Sequence, residues 1–386
     1  MKRSAALALV CAAVLCATVQ AASLRAALIV PADDPRLERS RLERAYLGHP
    51  GGTARDGAQL AVDEARFELD AAGSAVVLDS VPAASLDAAR AAAQQAEKTG
   101  AAVLLTDLPT EWTRAVADAV KLPVINVGDA SDVLRERDCR ANLLHTVPSE
   151  RMRADALAQA LVARRWSSVL LLAGPSGADA TRAVAAQAAI KRYGLKLVAI
   201  KSFKLSADPR ERELANPLLL TAGPGYDAVW VVDSDGEFSR ALPYRTALPR
   251  PVVGDAGLTA QAWHVQFERF GAPQVSRRFA KAAKRPMTAH DWSAWIAGRA
   301  LVAAAVAAPK GPAAAWAKAL LSNELDGSKG VTLSFRPWDG QLRQPLLLTD
   351  GQAVIGSAPI DGMLHPRQTL DTLGADAPEK LCKARG

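Results

Sequence analysis

The chain of 386 residues carries 47 lysines and arginines against 40 aspartates and glutamates, a net charge of +7. The basic residues are scattered, with no Lys/Arg stripe and no interleaved aromatics, so a nucleic-acid partner is not expected. The length exceeds one ordinary core and predicts two lobes.

Lys2 and Arg3 precede an apolar run, Ala5 to Val19, that closes in Val19, Gln20 and Ala21, a small-residue cleavage pattern. Residues 1–21 therefore read as a secretory signal peptide, with a mature chain from near Ala22. The run is short for an anchor, and no later stretch reaches the ~20 apolar residues a span needs. A lipid-anchored start is disfavoured, because Leu15 precedes Cys16 and Val10 precedes Cys11 where a small residue is expected. Cys11 and Cys16 leave with the leader, so Cys139 and Cys382 remain in an oxidising compartment, where one disulfide is expected and two free thiols are the alternative.

From Leu24 onward short apolar runs alternate with alanine-rich amphipathic stretches, the order of a parallel sheet covered by helices. "LRAALIVP" is the first strand. A basic, polar loop and the turn "GHPGG" lead to a helix over 53–69, with Ala58, Ala61, Val62, Ala65 and Leu69 on one face. "SAVVLDS" is a strand, and "SLDAARAAAQQAEKTG" a helix closed by Gly100. "AAVLLTD", "TEWTRAVADAVK" and "LPVINVG" give strand, helix and strand, completing one doubly wound half. The pattern restarts with a helix in "SERMRADALAQALVARRW" capped by Ser149, then strand "SSVLLLAG", helix "ADATRAVAAQAAIKRYG", and strands "LKLVAIKSF" and "YDAVWVVD". A Trp-bearing helix over 289–308 follows. The chain finishes with two extended segments around the turn at Asp339 and Gly340, a hairpin signal.

This order, with "GGTARDGAQLAVDEA", "LLHTVPSERMRADALAQAL" leading into "RWSSVLLLAGPSG", and "HDWSAWIAGRAL", resembles the type I periplasmic solute-binding proteins of the branched-chain amino-acid ABC transporter class. "CRANLLHTVPS" and "RWSSVLLLAG" look most like the subfamily associated with PQQ-dependent alcohol dehydrogenase systems. The resemblance implies an α/β protein of two doubly wound parallel-sheet lobes joined by a three-crossover hinge. Lobe one would comprise 22–146 plus 258–326, and lobe two 147–257 plus 327–386 with the C-terminal hairpin and tail. It implies a periplasmic, non-enzymatic monomer that captures a small polar ligand between the lobes, needs no cofactor, and serves an ABC permease of the inner membrane.

In open α/β sheets, ligands sit outside the carboxyl ends of strands. The stretch "VVDSDGEF" is such an end, and by resemblance Glu237, with Asp233 behind it, takes the ligand's cationic group; the plainer reading is that these acids cap the following turn. The glycine of this stretch falls too early for an EF-hand. Asp107, Asp129 and Asp132 leave a hard cation between the lobes as a minor alternative. Where amino-acid binders hold a carboxylate, this chain has "TDLPTEW" and "GDASD": Thr110 and Ser131 supply hydroxyls, but Asp107 and Asp129 would repel an anion. Both sets also read as helix caps.

Ser176 in "LLLAGPSGADA" mimics a nucleophile elbow, so a secreted serine hydrolase is the rival from another class. His264 or His290 with Asp255 or Asp291 could be nominated for a triad only by order, and no oxyanion segment precedes it. Ser176 is accordingly expected to start a helix and face the ligand. A non-transporting periplasmic sensor is the third reading. The five histidines show no metal spacing, Trp292 and Trp295 read as core, and no Walker or dinucleotide loop follows any strand.

Overall fold

The computed structural model describes residues 22–223, 225–309 and 311–385; the expected leader and cleavage site lie outside the described residues. In the first half, β1 (Ala22–Pro31) is followed by α1 (Arg39–Arg44), α2 (Ala54–Glu64), α3 (Arg66–Ala71), β2 (Ser74–Ala83), α4 (Leu86–Lys98), β3 (Val103–Thr106), α5 (Thr110–Ala119), β4 (Val124–Asn126) and β5 (Leu143–His145). These strands form one parallel sheet in the order β2-β1-β3-β4-β5. The second half runs α6 (Glu150–Ala163), β6 (Ser168–Ala173), α7 (Gly177–Arg192), β7 (Lys196–Ser202), α8 (Pro217–Thr221), β8 (Ala228–Val232) and β9 (Val252–Gly254). Its parallel sheet has the order β7-β6-β8-β9.

The chain then returns through β10 (Thr259–Gln261) to α9 (Ala272–Ala283), α10 (Ala289–Ala307) and α11 (Ala313–Ser322), which pack on the first sheet. The short β11 (Leu325–Asp326) and β12 (Thr332–Leu333) pair with each other, and β13 (Leu346–Thr349) and β14 (Val354–Ala358) join β10 in an antiparallel sheet against α6. This is the expected architecture of two doubly wound parallel-sheet lobes.

The local reasons are legible in the side chains. β3, β6 and β8 are almost wholly buried, so they are apolar on both faces rather than alternating. Ser85 caps α4 by accepting from Ala88 N–H, and Gly100, at a φ of 90° beyond its end, takes the left-handed turn that side-chain-bearing residues avoid. The helix expected over 53–69 breaks at Ala65, whose ψ of 7° lies off the helical value, into α2 and α3. The turn at Asp339 and Gly340 forms, with Phe335 bridged to Leu342, but the regular strands pair around the next turn, at Asp350 and Gly351, where β13 meets β14.

Each parallel sheet has apolar clusters on both faces, and Trp263 stacks on Trp292 with centroids 6.2 Å apart inside the largest. Trp292 and Trp295 are core residues, with indole N–H groups on Gly327 O and Glu64 respectively. The crossing segments are zipped together: His145 N–H donates to Gly340 O at 2.9 Å, Leu342 N–H to His145 O at 2.8 Å, and the Gln344 amide to Thr146 O at 2.8 Å. Cys139 and Cys382 are bonded, their Cα atoms 5.6 Å apart, fastening the tail beside the chain that leads into the first crossing. Among the described residues no helix is long and apolar enough to cross a membrane.

Candidate functional site

The strand order reverses between β1 and β3 in the first sheet and between β6 and β8 in the second, and the loops leaving those strands line the groove between the lobes. The main cavity, about 600 Å³, takes its first-lobe wall from Pro31 to Arg36, Leu108 to Trp112, Gly128 to Ala130 and the start of α10, and its second-lobe wall from Glu150, Arg153 and Ser234. A smaller space of about 180 Å³ continues over Arg182, Asp233 and Asp255, sharing His49, Glu150, Arg153 and Ser234 with the first.

The first-lobe wall rests on an alternating charge chain. Asp34 caps the turn after β1 by accepting from Arg36 N–H at 2.9 Å, and the Arg36 guanidinium folds back onto the same carboxylate at 2.7 Å. Arg36 also donates to Asp107 at 2.9 Å, and the second Asp107 oxygen meets His290 Nε2 at 2.8 Å. Burial works to raise the Asp107 pKa, yet His290 and Arg36 outweigh it and hold the carboxyl well below the usual range. Burial equally opposes a charged His290, but Asp107 prevails and raises the imidazole above its ordinary value. Gly128 makes room for this: a Cβ there would lie 1.8 Å from Asp107 Oδ1.

Asp129 is held by its backbone, its N–H on Asn126 Oδ1 at 2.9 Å, and Ser131 N–H donates to its Oδ1 at 2.8 Å. Asp129 Oδ2, His290 Nδ1 and Arg153 Nε are buried without a partner, and all three residues line the main cavity. On the second-lobe wall Glu150 accepts from Arg182 at 3.2 Å and faces Arg153 at 3.6 Å. Arg182 also pairs with Asp255, which in turn accepts from Asp233 N–H at 2.6 Å. Burial lifts the Asp233 pKa; for Glu150 the two arginines overcome burial and lower it.

The sequence-predicted residues divide by placement. Thr110 and Asp129 line the main cavity, Asp233 lines the smaller one, and Asp107 lies buried behind His290. Ser131 turns its backbone to Asp129 and to Arg135 and stands outside the lining. Ser176 also stands outside: its hydroxyl donates to Asp179 at 2.7 Å and accepts from Asp179 N–H at 3.0 Å, a capping box that starts α7. Its hydrogen-bond partner is thus an aspartate and not the histidine that a triad requires. Glu237 is exposed and its carboxylate sits on Arg44. Asp132 accepts from Arg151 N–H, and among the described residues no group of three or more His, Cys, Asp or Glu is placed to hold a metal ion.

Sequence reasoning missed Arg36, His49, Glu150, Arg153, Arg182 and, as a cleft residue, His290. For His290 a signal existed: Thr288 and Asp291 form a capping box, which sets His290 in the first turn of a helix that follows no strand of its own. It missed most of all the strap over 32–49. Arg41 donates to Asp235 at 3.1 Å, Arg44 meets Glu237, and the Tyr46 ring covers Gly236, where a Cβ would come within 2.9 Å of it. The acidic turn after β8 therefore carries a first-lobe segment across the groove, and burial at the tip of that segment depresses the His49 pKa.

No family model matches the sequence, and no curated protein does either. Solved structures do resemble it. A solute-binding protein of an ABC transporter from R. palustris, in complex with benzoate, is 16% identical with a TM-score of 0.65 over 87% of this chain and 96% of that one. An ABC transporter substrate-binding protein from Desulfitobacterium hafniense, in complex with Leu, is 15% identical with a TM-score of 0.66 over 85% and 98%. The leucine-, isoleucine-, valine-, threonine- and alanine-binding protein from Brucella ovis, in its closed conformation, is 12% identical with a TM-score of 0.68 over 85% and 89%. The chain has the fold of the type I periplasmic binding proteins.

Proposed function

We infer that the chain is the periplasmic substrate-binding component of an ABC transporter, a monomer that captures a small polar ligand between its lobes and passes it to a permease of the inner membrane. One observation carries the reading: residues on both walls of one cavity at the carboxyl ends of the sheets, Asp129 and His290 opposite Arg153, each hold a buried polar atom without a partner, Oδ2, Nδ1 and Nε. Buried polar groups are costly unless paired, so the cavity is built for a molecule that supplies the partners. Neighbours of this fold that hold benzoate or leucine support the size class of the ligand. With the boundaries expected at 146 and 258, Thr110 and Asp129 would line the cleft from lobe one and Asp233 from lobe two, with Asp107 behind His290. The link to PQQ-dependent alcohol oxidation rests on the segments "CRANLLHTVPS" and "RWSSVLLLAG".

The test is a thermal-shift screen of small metabolites and alcohol-oxidation products, with Ca²⁺ and lanthanide ions included. A ligand at about 100 times its dissociation constant stabilises by about 2.7 kcal/mol, which such a screen detects. Serine-dependent turnover of esters that Ser176→Ala abolishes would replace this reading with a hydrolase.

A further inference from the structure

The sequence argued against a carboxylate in this cleft because Asp107 and Asp129 face it, but Asp107 turns out to be neutralised. Its two oxygens are taken by Arg36 at 2.9 Å and by His290 at 2.8 Å, and its side chain is 5% exposed. The ion chain ends at the His290 ring, which lines the cavity and is 7% exposed, its Nδ1 buried and unpartnered. The walls beside it are apolar: Pro31, Pro35, Leu108, Pro109 and Trp112.

We propose that His290 is the ligand hook of the cleft, its Nδ1 donating a hydrogen bond to the carboxylate of a small organic acid, and that this acid binds together with a proton. The inference rests on the binding-protein reading above and names its ligand class. Its core is a constraint of imidazole chemistry. Nε2 is committed as the donor to Asp107, so Nδ1 is an acceptor in the neutral ring and a donor only when both nitrogens carry protons. A carboxylate at Nδ1 requires the second form, and binding it retains that proton.

The charged surroundings favour the doubly protonated ring. Asp107 contacts it from the end of β3, and Arg36 stands on the far side of that carboxylate. On its own helix Asp291 is balanced by Arg285 at 2.7 Å. Across the cavity α6 brings Glu150, which Arg182 and Arg153 offset. Arg153 Nε is the second unpaired donor, on the opposite lobe, and a carboxylate reaching both would tie the lobes together. Asp129 Oδ2 then accepts from a hydroxyl or amino group on the same molecule.

The experiment titrates the full mature chain with benzoate and with its neutral isostere benzamide by calorimetry, at about pH 5.5 and about pH 8.5. The expected result is benzoate binding at least roughly tenfold tighter at the lower pH, proton uptake seen as a dependence of heat on the buffer's ionisation enthalpy, and no comparable binding of benzamide. His290→Gln keeps an amide donor for Asp107 but has no donor at the Nδ1 position. It should fold and lose the benzoate response and its pH dependence. Equal binding at both pH values, equal binding of benzamide, an unaltered His290→Gln response, or no binding of benzoate overturns the proposal. Mass spectrometry of small molecules released from natively purified protein separates the two levels: a neutral or cationic ligand found there sinks the acid class and keeps the binding protein. No ligand in that extract and none in the metabolite screen sinks both.

Discussion

Arg41 donates to Asp235 at 3.1 Å across 194 residues of sequence, and this contact joins a first-lobe strap to the acidic turn at the end of a second-lobe strand. Arg44 repeats it on Glu237. Both pairs are substantially exposed, so each is worth about 0–1 kcal/mol and is screened by salt. Replacing Arg41 and Arg44 together by Gln should leave the melting temperature within a few degrees of the parent and raise amide hydrogen exchange over 39–49 at low ionic strength. In the parent, added salt should reproduce that exchange. Unchanged exchange in the double variant would show that Tyr46 on Gly236 holds the strap without the ion pairs.

The disulfide gives a sharper expectation. Cys139 and Cys382 are 243 residues apart, and on the chain-entropy argument closing a loop of that size constrains the unfolded chain by roughly 5 to 6 kcal/mol. Unfolded, unreduced protein should show no titratable thiol from this pair. Cys382→Ser should unfold at distinctly lower denaturant, with the tail beyond Arg343 the first part to lose exchange protection.

Helix α10 lies against α2 at a distance only glycine permits. A Cβ at Gly298 would lie 2.6 Å from Ala58 O and 2.8 Å from Ala61 Cβ, and one at Gly57 would lie 2.2 Å from Asp291 O. Gly298→Ala should therefore destabilise by about 1–3 kcal/mol despite alanine's better helix propensity. Gly177→Ala, in the first turn of α7 with nothing within 4 Å of the added carbon, is the control and should be close to neutral. Chemical denaturation compares the two; equal midpoints would mean that the helices separate freely to admit the methyl.

The contrast between what was and was not legible has a physical basis. β3, β6 and β8 announce themselves because burial on two faces demands continuous apolar runs, α4 because its cap and periodicity are local, and α10 because it is a long alanine-rich apolar run behind a local cap. The strap over 32–49 has no apolar period; it is ordered by partners such as Asp235 and Glu237, which the sequence places far away. Glu237 was readable as an acid at a strand end but not as one occupied by Arg44. Asp107 looked like a bare charge facing a ligand, because nothing in "TDLPTEW" reveals Arg36 or His290, the latter 183 residues distant. Cys139 and Cys382 were legible for the opposite reason: only two cysteines lie beyond the leader, so pairing had one solution.

The Asp107–His290 contact finally sets a pH dependence for stability. His290 has its folded pKa raised, so its contribution is full below the unfolded value of about 6.5 and is lost as pH rises through the folded value above that. Asp107 has its folded pKa lowered, so its contribution is present above about 3.9 and is lost as pH falls through the folded value below that. The pair therefore stabilises most between about pH 4 and 6.5, where both groups are charged in either state. His290→Gln retains a hydrogen bond to Asp107 and removes only the charge, so the cost there should be less than the ~1.5–3 kcal/mol that a whole hydrogen bond to a charged group contributes. The measurement is the difference in unfolding free energy between parent and variant from pH 5 to 9, followed alongside the His290 ring by NMR. The difference should shrink above neutrality as the imidazole releases its second proton. A difference that stays constant across that range would mean that the His290 pKa is the same in the folded and unfolded chain, so that Asp107 does not raise it.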